Sequence, residues 1–202
     1  MRAEIARLRA ERKAIILAHN YQRPEVQEIA DYVGDSLELS IKASQLADVE
    51  VVVFCSVDFM AETAKLLAPD KLVLHPDPRA GCPMAEMVTP ERLREMKAQY
   101  PGVPVVCYVN TSAAVKAECD IAVTSANAVK IVNGLDADTI LFVPDRCLGA
   151  WVQQHTEKTL ILWPGYCPTH NRILPAHVLA ARGAHPGAKV MAHPECPMPV
   201  LD

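Results

Sequence analysis

The chain has 202 residues, half of them apolar, with a formal net charge of −4 and a pI near 6.0. This is enough apolar material to bury the core of one or two domains, and the mildly acidic balance argues against a nucleic-acid partner. No apolar run approaches the ~18–20 residues of a membrane-spanning helix, and Ala14–Ala18, behind the charged start Met1–Glu4, is too short for a signal-peptide core.

In chain order, Glu4–Arg12 reads as an amphipathic helix and Ala14–Ala18 as a strand. Pro24 opens a helix at its first turn. Asp31–Gly34 is a short strand or turn, and Ser36 caps a helix over Leu37–Leu46. Val51–Cys55 predicts a strand, Phe59–Leu67 a helix and Leu72–Leu74 a strand; a loop then carries Cys82, and Pro90–Gln99 is a helix. The order then repeats. Val103–Cys107 is a strand, Ser112–Ala117 a helix and Ile121–Val123 a strand; Ser125 caps a helix over Ala126–Gly134. Ile140–Val143 is a strand, Cys147–His155 a helix and Leu160–Trp163 a strand; a second loop carries Cys167, and Pro175–Arg182 is a helix. Lys189–Ala192 predicts one more strand. Unbroken apolar strands between helices argue for parallel sheets covered on both faces.

The repeat has a measurable period. His19, Tyr108 and His193 close three similar strands, 89 and 85 residues apart. Ser36 and Ser125 are 89 apart, and Cys82 and Cys167, each followed by proline, are 85 apart. The fold class is therefore α/β, a pseudo-threefold repeat of parallel-sheet modules over 1–100, 101–187 and 188–202, the third incomplete. The same period puts a third polar residue near ~210 and a third loop cysteine near ~250, so the chain reads as a fragment ending inside the third module.

Right-handed crossovers bring the C-terminal ends of parallel strands to one sheet edge, where ligands of open α/β sheets bind. His19, Tyr21, Tyr108, Asn110, His193 and Glu195 gather at such ends. Imidazole, phenol and carboxylate move protons there, and an amide orients a carbonyl or carboxylate. Helix starts at Ser36 and Ser125 offer backbone N–H groups to anions as well as capping their helices. Cys82 and Cys167 suit loop thiolates of an iron–sulfur cluster, or are plain thiols. Seven cysteines, an odd number without close pairing, suggest a reducing, cytoplasmic setting. Cys55, Cys107, Cys119, Cys147 and Cys196 read as packing residues. His170, three residues after Cys167, is the one further histidine near the site.

Several segments carry a family resemblance. Ile16-Leu17-Ala18-His19-Asn20-Tyr21-Gln22 with Gly34-Asp35-Ser36, the run Val57 to Ala64, Tyr108-Val109-Asn110, Thr124 to Val129, and His193-Pro194-Glu195-Cys196 together resemble quinolinate synthase over essentially the whole chain. The resemblance implies three homologous α/β domains around a central site. It implies an enzyme of NAD biosynthesis that condenses iminoaspartate with dihydroxyacetone phosphate, supplied through an L-aspartate oxidase or dehydrogenase. It implies a [4Fe-4S] cluster held by one cysteine per domain, Cys82 and Cys167 here. His19, Ser36, Tyr108, Asn110, Ser125, His193 and Glu195 would surround the substrates, and Tyr21, His193 and Glu195 would serve as acids and bases. The third cluster cysteine has no counterpart in these residues, so the chain alone is expected to be inactive. Two other readings stay open: a cofactor-independent racemase using Cys82 and Cys167 as paired acid and base, and a non-catalytic metal-binding module.

Overall fold

Aliphatic and β-branched runs form the strands, and a Pro or a capping side chain opens most of the helices between them. The computed structural model describes residues 1–202, and these fall into two units, Met1–Cys82 and Pro83–Asp202. The first unit runs α1 (Arg2–Glu11), β1 (Ala14–His19), α2 (Pro24–Gln27), β2 (Tyr32–Gly34), α3 (Ser36–Gln45), β3 (Val51–Cys55), α4 (Asp58–Leu67) and β4 (Leu72–Leu74). Its four strands are all parallel, in the order β2-β1-β3-β4, with Leu17 opposite both Tyr32 and Phe54.

The second unit begins with a 3₁₀ turn, Ala85–Met87, and continues through α5 (Pro90–Gln99), β5 (Val105–Tyr108), α6 (Ala113–Lys116), β6 (Ile121–Val123) and α7 (Ala128–Gly134). It then forms β7 (Thr139–Val143), α8 (Arg146–Gln153), β8 (Thr159–Leu162), a 3₁₀ turn His170–Arg172, α9 (Pro175–Ala184) and α10 (Met198–Leu201). Its sheet is again parallel, in the order β6-β5-β7-β8. The α/β class and its repetition are thus visible as one topology used twice.

Small devices repeat with the topology. Asp31 Oδ2 accepts from the Ile16 N–H at 2.8 Å, and Asp120 Oδ2 accepts from the Val105 N–H at 2.7 Å. Each ties the entry of a central strand to the loop before its neighbour. The buried Lys71 ammonium donates to the carbonyls of Leu46 (2.6 Å) and Val49 (2.9 Å). Lys158 likewise donates to the carbonyls of Leu135 and Ala137. Gly102 and Gly187 hold positive φ of 78° and 84° in the two Pro-Gly turns, a region in which a Cβ is strained.

The second core has two layers. Leu93 of α5 and Val115 of α6 pack with Val105, Cys107, Leu141, Val143 and Trp163 on one side of the sheet. Val106, Ile140 and Phe142, alternate residues of the same strands, are buried with Ala128, Val132, Leu148 and Val152 of α7 and α8. Gly149 lets α8 approach the sheet: a Cβ there would lie 2.5 Å from Leu162 Cδ2.

Three expectations need correction. Ser36 is the first residue of α3 rather than its cap; Asp35 is the cap, its side chain accepting from the Glu38 N–H at 2.9 Å. Ser125 does not cap α7 either. That helix starts at Ala128, with Asn127 in the cap position and its Oδ1 turned back to the Thr124 N–H. Lys189–Ala192 forms no strand and is exposed. With no adjacent strand to complete a ladder, its apolar sequence cannot settle into one.

Candidate active site at the strand ends

In the first unit β1 ends at His19, and the chain turns so that the Tyr21 N–H donates to His19 Nδ1 at 3.3 Å. The two rings lie 3.8 Å apart by centroid. Burial holds the His19 imidazole below its ordinary pKa, with Asp35 opposing. The Tyr21 hydroxyl reaches Met60 Sδ at 3.6 Å, and burial raises its phenol, the charges of Cys82 and Asp58 adding to the effect. Ser36 is half-buried in the first turn of α3. Cys82 is half-buried in its loop, and no cysteine of the chain is in a disulfide.

The second unit builds a denser cluster. Tyr108, last residue of the fully buried β5, donates from Oη to Glu195 Oε1 at 2.7 Å. The other carboxylate oxygen of Glu195 lies 2.9 Å from His170 Nδ1, which is itself 3.1 Å from Cys167 Sγ. His193 Nε2 meets Ser125 Oγ at 3.1 Å, while its Nδ1 accepts from the Glu195 N–H at 3.2 Å. The His170 and His193 rings stack at 5.1 Å. Asn110 is half-buried in the loop after β5. The local turn at His193-Pro194-Glu195 reproduces that at His19-Asn20-Tyr21, an imidazole Nδ1 accepting from the N–H two residues on.

Electrostatics follow from burial. The Tyr108 phenol is pushed far above its ordinary value by burial and then by the Glu195 charge. Burial lifts the Cys167 thiol to about 11, with Glu195 adding. His193 is held below its ordinary value by burial and by His170, against the pull of Glu195. Because Nδ1 of His193 accepts a hydrogen bond, its neutral ring carries the proton on Nε2, facing Ser125.

Two participants in the site are not marked by the sequence repeat. Its spacing to Cys167 marks His170 in the sequence, but only the fold shows it contacting Glu195. Asp145 carried no sequence signal beyond a helix-capping residue type. It is fully buried, capping α8 through Oδ1 to the N–H groups of Cys147 (2.7 Å) and Leu148 (2.9 Å). Its Oδ2 has no hydrogen-bond partner; the Cys167 N–H lies near without completing a bond. Burial raises this carboxyl to about 6.

Cys167, His170 and Glu195 place three potential ligand atoms within 4.8 Å of one another, a group able to hold a metal. A repeated parallel α/β fold with imidazole, phenol, carboxylate and thiol converging at the strand ends has the build of a small-molecule enzyme. Comparison with known proteins gives the family. Residues 3–202 match the family described as Quinolinate synthetase A protein, and the chain belongs to it. It is 62% identical to quinolinate synthase of Dehalococcoides mccartyi strain 195 over 192 residues, covering 95% of this chain and 63% of that protein. It is 56% identical to the enzyme of Methanoregula boonei, over all of this chain and 67% of the relative. For Aquifex aeolicus the identity is 52%, over all of this chain and 63% of the relative. The chain thus spans about two thirds of the length of these curated relatives.

Proposed function

We propose that this chain contributes the first two modules, and the opening loop of a third, to a cytoplasmic quinolinate synthase that condenses iminoaspartate with dihydroxyacetone phosphate. The family match over residues 3–202 carries this reading, and the polar cluster at the strand ends supports it. Iminoaspartate would come from an L-aspartate oxidase or dehydrogenase.

Cys82 and Cys167 fit two ligand positions of a [4Fe-4S] cluster. Each is a half-buried thiol, outside any disulfide, in an equivalent loop followed by proline. When bound, such a cluster supplies Lewis acidity toward a hydroxyl or carboxylate that must leave or be polarised. The rest falls to side chains. Tyr108 fixes the Glu195 carboxylate, whose free electron pairs accept a proton from a bound intermediate. Neutral His193 holds a proton at Nε2 and passes it through the Ser125 hydroxyl. Tyr21, its phenol raised by burial, keeps its proton at neutral pH and donates it at Oη. His19, Ser36 and Asn110 bind substrate carboxylate, carbonyl or phosphate oxygens.

The test is anaerobic reconstitution with iron and sulfide of this chain and of a version extended to the relatives' full length. The extended protein is expected to take up about four irons, as a [4Fe-4S] cluster requires, and to form quinolinate from the two substrates. The 202 residues alone are expected to do neither. An extended protein that binds no iron and forms no quinolinate would sink the reading.

A further inference from the structure

We propose that Asp145 is a positioning residue for Cys167, its buried Oδ2 taking the Cys167 N–H and so fixing the loop that presents the thiol. The role rests on reading Cys167 as a cluster ligand. A seam between the end of β7 and that loop prepares it. The β7–β8 pairing runs on past Leu162: the Trp163 N–H donates to the Phe142 carbonyl at 2.9 Å, Asp145 bridges Gly165 in parallel, and the Arg146 N–H donates to the Gly165 carbonyl at 2.9 Å. Gly165 permits this approach, because a Cβ there would collide with the Pro144 carbonyl oxygen. The pairing ends where α8 opens at Arg146 and its carbonyls turn into the helix. Cys167, two residues beyond Gly165, is the next residue of the loop in step with the seam. The side chain at the head of α8 takes the place of the backbone acceptor that its N–H lacks there.

The orphaned oxygen is a second observation. Asp145 is fully buried, and Oδ1 already accepts from the N–H groups of Cys147 and Leu148. Oδ2 is the one buried side-chain oxygen or nitrogen without a hydrogen-bond partner. Such an acceptor is costly to keep, and a serine would cap α8 as well without it. The Cys167 N–H is the donor beside it, and a small closure of the loop completes the bond. The Cys167 carbonyl is held too, accepting from the Asn171 N–H at 2.9 Å. With both sides of the residue fixed, only side-chain rotation remains to aim Sγ, as an outer partner of a metal ligand requires.

The first unit has the same seam without the carboxylate. The Asp58 N–H, at the start of α4, donates to the Ala80 carbonyl at 2.9 Å. Ala80 stands two residues before Cys82, as Gly165 stands before Cys167. The cap position of α4 holds Val57, whose side chain has no oxygen. The carboxylate therefore belongs to the Cys167 loop and is not a need of the topology.

The test uses the 202-residue chain without iron, so its failure is distinct from failure of the quinolinate synthase reading. NMR of the parent chain should show a coupling through the hydrogen bond, between the Cys167 amide nitrogen and the Asp145 carboxylate carbon. Asp145→Ser keeps a cap for α8 and removes the second oxygen. It should speed hydrogen exchange at the Cys167 amide by roughly 10–100-fold, the ratio that a hydrogen bond to a charged group represents, while the Leu148 amide stays protected. Gly165→Ala leaves Asp145 in place and forces the seam apart, and it should speed exchange at Cys167 as well. Circular dichroism checks that each variant is folded. A parent chain without the coupling overturns the proposal, whatever the variants do. So does a folded Asp145→Ser or Gly165→Ala chain whose Cys167 amide exchanges as in the parent, the outcome expected if Asp145 is a helix cap and nothing more.

Discussion

The two sheets share strand order and direction but not burial. In the second, the central strands β5 and β7 are buried at nearly every position; in the first, β3 alternates between buried and half-buried residues. Their strand ends differ in the same sense. His19 and Tyr21 form one close pair of rings tilted by 40°, with Tyr21 56% exposed. The second unit carries the loop 193–196 over its own strand end, so that Glu195 seals Tyr108 and His193 meets Ser125. Topology is thus repeated while the chemistry is concentrated where a further loop covers the strand ends. Burial raises the pKa values of Tyr108, Asp145 and Cys167, and the Glu195 charge brought by that loop adds to each.

The burial contrast can be broken at equivalent strand positions. Leu141→Ala in β7 empties a fully buried site and should cost about 2–5 kcal/mol. Val53→Ala in β3 removes less from a half-buried site and should cost about 1 kcal/mol. Urea unfolding resolves the two, because both tryptophans, Trp151 and Trp163, lie in the second unit. The Leu141 variant should lower the fluorescence midpoint, whereas the Val53 variant should move the circular-dichroism transition and leave fluorescence nearly unchanged. Equal fluorescence shifts would mean that the two sheets unfold as one body, and the contrast in burial would lose its energetic meaning.

The pH dependence sharpens the contrast. His19 and His193 are both held below their ordinary pKa. The folded chain then binds fewer protons than the unfolded one, and both groups lose stability as pH falls below about 6.5. Asp145 acts in the opposite direction. Raised by burial from 3.8 to about 6, it favours the folded state at low pH and gives up as much as about 3 kcal/mol as pH rises from 4 through 6. Asp145→Asn keeps an oxygen for the Cys147 and Leu148 N–H groups and deletes the titration. Its stability should rise more steeply between pH 4 and 7 than that of the parent chain, read as urea midpoints across that range. Parallel profiles would show that Asp145 does not change its proton affinity on folding.

The sequence makes the order of elements legible because each strand is a short aliphatic run and the spacing repeats. The unbroken apolar runs predict the parallel arrangement, whereas the strand order within each sheet comes from the structure alone. Burial was less legible: the alternation in β3 depends on what covers each face, which no local pattern states. Lys189–Ala192 has the composition of a strand and lacks a neighbour, so local preference is overruled by the missing ladder. At the site, His19, Tyr108, His193 and Glu195 could be named from their phase in the repeat. The Glu195–His170 contact could not, since it joins residues 25 positions apart through a loop path visible only in three dimensions. Asp145 was hidden for a related reason: a capping aspartate looks the same in sequence whether its second oxygen faces water or a closed interior.

The smallest expected effect concerns the helix starts, where adjacent polar residues compete for one role. In the first unit the segment Gly34-Asp35-Ser36 offers two good capping side chains. The cap must sit in extended backbone, one residue before the first helical turn, for its oxygen to reach the N–H three residues on. Asp35 has that conformation, with φ −87° and ψ 176°, whereas Ser36 is already helical. Asp35→Ala should therefore cost about 1 kcal/mol, and Ser36→Ala only a few tenths, the size of an ordinary surface replacement. The second unit resolves the competition differently. Asn127 gives its oxygen to the Thr124 N–H rather than to α7, and this leaves the Ser125 hydroxyl for His193. Ser125→Ala should then leave helix stability nearly unchanged while freeing the His193 ring, visible as a shift of its imidazole NMR signals. If Ser125→Ala instead destabilises the chain as much as Asp35→Ala does, the serine is a cap after all and its contact with His193 is incidental.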